Sequence, residues 1–215
     1  MVNGKYGAGR QEEDLLIVFA RALQVGKVKT RLIPALGANG ALLAYRQLLA
    51  ATLEAAQGFP GDVELWIDQP DVNLAARARR AGWTCRVQQG RDLGERMARA
   101  IYSGLQQYQR VLLVGSDCLL LDGEYFQQAL TALNDADVVL GASEDGGYVL
   151  LGSDQPLLWK RNPLTAVRWG GEHALGDTVA ALGRYSRRLT TLPALWDVDE
   201  PVDLARAVQL GLLPD

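Results

Sequence analysis

The sequence predicts an α/β fold of three layers, a single domain whose mostly parallel central sheet is covered by helices on both faces. Two short runs without polar interruption, 15–19 (LLIVF) and 111–114 (VLLV), have the composition of strands buried on both faces. Segments with apolar residues at helical spacing alternate with these and other strand candidates, and such alternation implies parallel pairing through right-handed crossovers. The length of 215 residues, 48% hydrophobic, suffices for one substantial core.

Taken in order, residues 1–13 are Gly-rich and charged and lack the apolar stretch of a secretory leader. They are expected to form a disordered tail, which leaves 14–215 as the domain. Residues 15–19 are the first strand, followed by a Gly/Lys-rich loop. Residues 40–57 repeat apolar side chains at helical spacing through Leu42, Tyr45, Leu49 and Leu53, with Asn39 as a candidate N-cap. Strand, helix and strand follow at 63–67, 71–81 and 84–88. The spacing of Asp92 and Glu95 matches a capping box and predicts a helix over 92–108. The run 111–114 should be the central strand. A helix near 123–134, strands at 137–140 and 147–151, a helix at about 172–183, a strand near 188–192 and a helix over 201–210 complete the chain.

The charges exclude some functions. With 25 acidic and 22 basic side chains the net charge is −3, whereas nucleic-acid and anionic-membrane binders need a broad positive field. No apolar run approaches the roughly 20 residues of a membrane span. Cys85 and Cys118 are too few for a disulfide framework and suit a reducing compartment, so a cytoplasmic location is expected.

In parallel α/β sheets ligands bind beyond the carboxyl ends of the strands, and the unusual polar residues fall there. The loop 26–32 (GKVKTRL) places Lys27, Lys29 and Arg31 beside Thr30, with Gly26 free to turn; it either wraps a polyphosphate or is a solvated basic loop. It lacks the P-loop spacing. Gly115-Ser116-Asp117-Cys118 follows the central strand, and Asp117 is either a ligand for Mg²⁺ or Mn²⁺ or the cap of the next turn. Glu144-Asp145-Gly146-Gly147-Tyr148 brings two acids and an aromatic ring to flexible backbone, or is simply a hairpin turn. In Asp197-Val198-Asp199, only one carboxylate is expected to face the site of Asp117, the other being structural, or else the segment is an ordinary helix start. Gln89, Asp92 and Arg96 also follow a strand, although capping explains part of that pattern. Trp169 opens a Gly-rich loop suited to a flap, and it precedes His173, the only histidine, which is read as incidental.

Together these segments resemble the bacterial family DUF2064, arsenosugar-biosynthesis-type glycosyltransferases of the GT-A, or nucleotide-diphospho-sugar transferase, superfamily. The resemblance covers most of residues 15–210. It is carried by 19–32 (FARALQVGKVKTRL), 88–97, 115–119, 145–148 and 197–204. Three positions depart from the family pattern: Arg21 replaces Lys, and Leu23 and Leu119 each replace Pro. The resemblance implies that Lys29 and Arg31, with Arg21, belong to a phosphate-binding loop, that Asp117 takes the metal position and that the Asp197/Asp199 segment closes the site.

The activity so implied is metal-dependent glycosyl transfer from a nucleoside diphosphate sugar to a small-molecule acceptor. Mg²⁺ or Mn²⁺, Lys29 and Arg31 would offset the leaving diphosphate, Asp145 or Glu144 would act as base, and Gly146, Gly147, Tyr148 and Trp169 would contact substrate. The alternative is nucleotidyl transfer from a nucleoside triphosphate, as in guanylyltransferases and molybdenum-cofactor nucleotidyltransferases, with release of pyrophosphate. A third possibility is a non-catalytic nucleotide-sugar-binding protein.

Overall fold

The first strand shows how the layers arise. In β1 (Glu12–Ala20) Leu16, Val18 and Ala20 enter one apolar cluster, and Leu15, Ile17 and Phe19 enter another on the opposite face. Successive side chains of a strand alternate in direction, so a strand apolar at every position needs cover on both sides. A computed structural model describes residues 12–186 and 188–214 of the chain. The tail expected over 1–13 lies outside the described residues, except that β1 already begins at Glu12.

Among the described residues, seven strands form one sheet in the order β3-β2-β1-β4-β6-β5-β7. The others are β2 (Asp62–Ile67), β3 (Thr84–Val87), β4 (Tyr108–Val114), β5 (Val138–Ser143), β6 (Tyr148–Ser153) and β7 (Leu189–Leu195). All pairings are parallel except those of β6, which runs against β4 and β5. Val18 pairs with both Leu65 and Val114, so β1, β2 and β4 end at one edge; the reversed β6 brings its beginning to that edge, with Leu150 beside Val114.

One face is covered by α1 (Ile33–Gln57), α2 (Val72–Arg80) and α4 (Gly123–Ala132), through Leu49, Leu53, Leu74, Phe126 and Leu130. The other is covered by α3 (Leu93–Gly104), the single turn α5 (Pro156–Trp159) and α6 (Ala174–Leu182), through Met97, Ile101, Trp159 and Leu182. Full burial of each large side chain contributes about 1.5–3 kcal/mol. The last helix, α7 (Pro201–Gln209), packs Ala207 with Trp196 and Val198 against Leu48. Among the described residues no helix is long and apolar enough to cross a membrane.

Several boundaries differ from the sequence expectation. Asn39 does not cap α1, which begins at Ile33 and continues through a break at Gly37, where φ is 69°; the expected segment is the part beyond that break. The third helix stops at Gly104, because β4 begins at Tyr108, where Gln109 and Arg110 mask the strand pattern. Asp92 does accept from the Glu95 N–H (2.8 Å), but the Glu95 carboxylate reaches the Arg91 N–H (3.1 Å), one residue short of a reciprocal box. The turn α5, opened by Pro156, was not expected.

Candidate active site

The loop after β1 is fastened from outside. The Asp68 carboxylate accepts from the Ala22 N–H (2.7 Å) and Asp71 from the Leu23 N–H (2.9 Å). A proline at position 23 would lack that donor, so the departure from the family pattern is matched by a hydrogen bond. Val28 is buried and Lys29 takes the left-handed conformation (φ 43°, ψ 49°), the one non-glycine residue with positive φ among those described. Such a conformation in a side-chain-bearing residue persists only where its surroundings enforce it. Here it turns the side chain inward: Lys29 Nζ donates to Asp117 Oδ2 (2.9 Å) and Asp199 Oδ1 (2.6 Å), and the side chain is only 7% exposed. Burial pulls the Lys29 pKa down, but the charges of Asp117 and Asp199 outweigh it and hold the ammonium above its ordinary value.

Arg31 spans from Asp199 (3.3 Å) to the Gly170 carbonyl (3.3 Å), linking this loop to the glycine-rich loop before α6. Ser116 Oγ lies 3.1 Å from the Tyr45 hydroxyl, which in turn accepts from the Arg21 N–H (2.7 Å). Thus the first strand, the central strand and α1 are joined at one point.

The expectation that Asp197 and Asp199 diverge is incorrect. One carboxylate oxygen from each of Asp117, Asp197 and Asp199 lies within 4.8 Å of the others. In extended backbone, residues two apart share a side; it is Val198 that turns away, fully buried, while its N–H donates to the Asp117 carbonyl (3.0 Å). Asp197 also accepts from Ser143 Oγ (2.7 Å). Burial, and next the Asp117 charge, push its carboxyl up to about 6. The Lys29 ammonium offsets two of the three acids, and the three hard oxygen donors are of the kind that could hold a divalent ion such as Mg²⁺ or Mn²⁺. The donor set is compatible with such an ion.

Two cavities meet at this triad, with Phe19, Leu93, Gly115, Asp117 and Asp199 common to both. The first, about 450 Å³, holds the cations: Arg21, Lys29, Arg31 and Arg96 line it with Thr30, Ser116, Tyr45, Asp68 and Gln88. The second, about 230 Å³, is bounded by Asp145, Gly147, Tyr148, Trp169 and Asp197 among others. Not all expected residues arrive. Gly26, Lys27, Gln89, Asp92 and Gly146 line neither cavity; Lys27 contributes a carbonyl that accepts from Arg21 (3.1 Å), and Gln89 is exposed. Glu144 lines neither as well, being paired with Arg206 (2.7 Å), whose guanidinium holds its carboxyl below the usual range. Asp145 diverges from its neighbour into the turn, where it accepts from the Gly147 N–H (2.8 Å). The segment is both a hairpin turn between β5 and β6 and a wall of the second cavity.

Sequence reasoning missed Tyr45, Asp68 and Gln88. The latter two directly follow β2 and β3, so the strand-end rule already used for Asp117 was signal enough. The Gln88 amide donates to the Ala20 (3.2 Å) and Trp66 (2.9 Å) carbonyls and bridges the ends of two strands.

A family model described as an uncharacterised protein conserved in bacteria (DUF2064) matches residues 50–171. None of the curated proteins matches the chain. Among solved structures, a protein of Desulfovibrio desulfuricans G20 assigned by resemblance to the nucleotide-diphospho-sugar transferases is 30% identical, with a TM-score of 0.75 over 88% of this chain and 84% of its own. The fold is shared with 4-diphosphocytidyl-2C-methyl-D-erythritol synthase of Anaerococcus prevotii DSM 20548, at 12% identity and a TM-score of 0.61 over 93% and 96% of the two chains. It is shared also with glucosyl-3-phosphoglycerate synthase of Mycobacterium tuberculosis, solved with Mn²⁺, UDP and glucosyl-3-phosphoglycerate, at 9% identity and a TM-score of 0.51 over 94% and 77%. The chain belongs to the DUF2064 family and is a transferase built on the nucleotide-diphospho-sugar transferase fold.

Proposed function

We propose that the protein transfers a glycosyl group from a nucleoside diphosphate sugar to the hydroxyl of a small-molecule acceptor. The observation that carries this reading is the meeting of a cation-lined cavity and an acid-lined cavity at one carboxylate triad. In the first cavity Arg21, Arg31 and Arg96 bind the diphosphate, for which planar guanidinium groups match the oxygen geometry. Lys29, held by Asp117 and Asp199, fixes the loop and adds charge where the leaving group gains it. Asp117, Asp197 and Asp199 would hold Mg²⁺ or Mn²⁺, which supplies further compensation for the departing diphosphate.

The acceptor enters the second cavity. The bond from the sugar anomeric carbon to the diphosphate oxygen breaks, and the acceptor oxygen bonds to that carbon. The hydroxyl proton goes to the Asp145 carboxylate, and the nucleoside diphosphate leaves. Asp145 suits the role by lining this cavity and not the cationic one.

The test is product analysis with nucleotide sugars and nucleoside triphosphates, each with MnCl₂ or EDTA. Nucleoside diphosphate release that needs the metal and is lost in Asp117→Asn is the expected result. Release of pyrophosphate from triphosphates would assign nucleotidyl transfer instead, and binding without turnover of either donor would end the catalytic reading.

A further inference from the structure

The second cavity is distinguished by the charges that line it. Its apolar wall is made by Phe19, Leu93, Met97, Leu113, Val149 and Trp169. Every charged side chain on it is an acid, Asp117, Asp145, Asp197 or Asp199, and among the described residues no lysine, arginine or histidine lines it. Lys29, Arg31 and Arg96 line the other cavity, and Lys29 and Arg31 are spent on Asp117 and Asp199, which leaves Asp145 as the acid that no basic side chain offsets among the described residues. The amino end of α6 adjoins through Ala174, but the N–H groups of Ala174 and Leu175 already donate to the Gly171 (3.2 Å) and Gly146 (2.9 Å) carbonyls. Among the described residues no basic side chain pairs with Asp145, so an anion placed against it would exchange water for apolar side chains and a like charge, which is unfavourable.

The aromatic residues make the opposite provision. The Tyr148 and Trp169 rings meet edge to face, with centroids 6.2 Å apart at 70°. The Tyr148 hydroxyl is buried beside Thr178 of α6, so what the residue offers the cavity is its ring. Such a pair accepts a further flat apolar group. The volume of about 230 Å³ lies below the about 300–1,000 Å³ of drug-sized ligand sites. There is room for one ring or a short chain.

The geometry points to an uncharged acceptor for this site, a small alcohol or phenol with an apolar body, and sets it against phosphorylated or carboxylated acceptors. The assignment rests on the proposed glycosyl transfer, in which the acceptor hydroxyl gives its proton to Asp145 as the new glycosidic bond forms.

A matched pair of probes isolates the charge: 3-hydroxybenzyl alcohol and 3-hydroxybenzoate, nearly equal in shape. Binding of each to the full chain is measured by saturation-transfer NMR and calorimetry, first alone and then with MnCl₂ and UDP or GDP. The alcohol should bind about tenfold more tightly than the benzoate or better. Asp145→Asn should narrow that ratio, and Trp169→Ala should weaken the alcohol severalfold while Trp169→Phe restores most of it. Equal binding, preference for the benzoate or binding of neither overturns the assignment. If the alcohol preference holds while no nucleotide binds, the pocket assignment stands and the glycosyl-transfer reading falls; if nucleotide binds without the preference, the pocket assignment falls and glycosyl transfer stands.

Discussion

Replacing Lys29 by Met tests the centre of the site. The substitution keeps the length of the buried stem and removes the ammonium that donates to Asp117 and Asp199 at 2.9 and 2.6 Å. Deleting one partner of a buried ion pair costs about 3–5 kcal/mol. The carboxylates left behind are 33% and 38% exposed, so water takes over part of the lost interaction and about 2 kcal/mol is expected. For a domain of this size that corresponds to a fall in Tm of about 4–8 °C, at about 2–4 °C per kcal/mol. The same change frees one oxygen each of Asp117 and Asp199 and removes a positive charge that a divalent ion on the triad would be repelled by. Differential scanning fluorimetry with EDTA or millimolar MnCl₂ should therefore show a larger Mn²⁺-dependent rise in Tm for Lys29→Met than for the parent, because saturation at about 100 Kd stabilises by about 2.7 kcal/mol. An unchanged Tm in EDTA, or equal Mn²⁺ shifts in the two proteins, refutes the assignment of the ammonium as counter-ion of the triad.

Three further outcomes are expected. Gly146→Ala places a Cβ 2.4 Å from the Glu172 carbonyl oxygen in a residue with φ +86°, so it should displace the loop before α6 and raise the acceptor KM more than it lowers donor affinity. Arg110→Met strands the buried Asp14 carboxylate, which Arg110 holds in a two-pronged pair at 2.5 and 2.8 Å, and should lower stability by about 3–5 kcal/mol in urea titration. Asp177 is held at about 2, chiefly by hydrogen bonds from the Arg168 side chain and next from its backbone N–H. With the folded value below that of the unfolded chain, its contribution is present above about pH 4 and is lost as pH falls towards 2. The fall in urea midpoint over that window should accordingly be shallower in Arg168→Ala.

The layers were legible because β1 and β4 are apolar at consecutive positions, a pattern that two-sided burial requires. The reversed direction of β6 was not, since strand direction is set by pairing rather than by the strand's own residues; only the short turn at Asp145–Gly147 hinted at it. In the site, Lys29, Arg31 and Asp117 stood out as polar residues after strands. Tyr45 did not, because its ring continues the apolar stripe of α1 while its hydroxyl alone reaches Ser116. Glu144 was misleading for the same local reason: adjacent residues in a turn point apart, and only their partners, Arg206 and Gly147, reveal which one faces the cavity.

The reversed strand has a bearing on how such a protein diversifies. Because β6 returns by a tight hairpin and no crossover helix, the wall it builds through Gly147, Tyr148 and Val149 is encoded in one short stretch, whereas the cationic wall is drawn from the loop after β1 and, through Arg96, from α3. Exchanging a dozen or so residues around that hairpin could therefore retune which molecule receives the transferred group and leave the donor machinery untouched, a division of labour that lends itself to grafting.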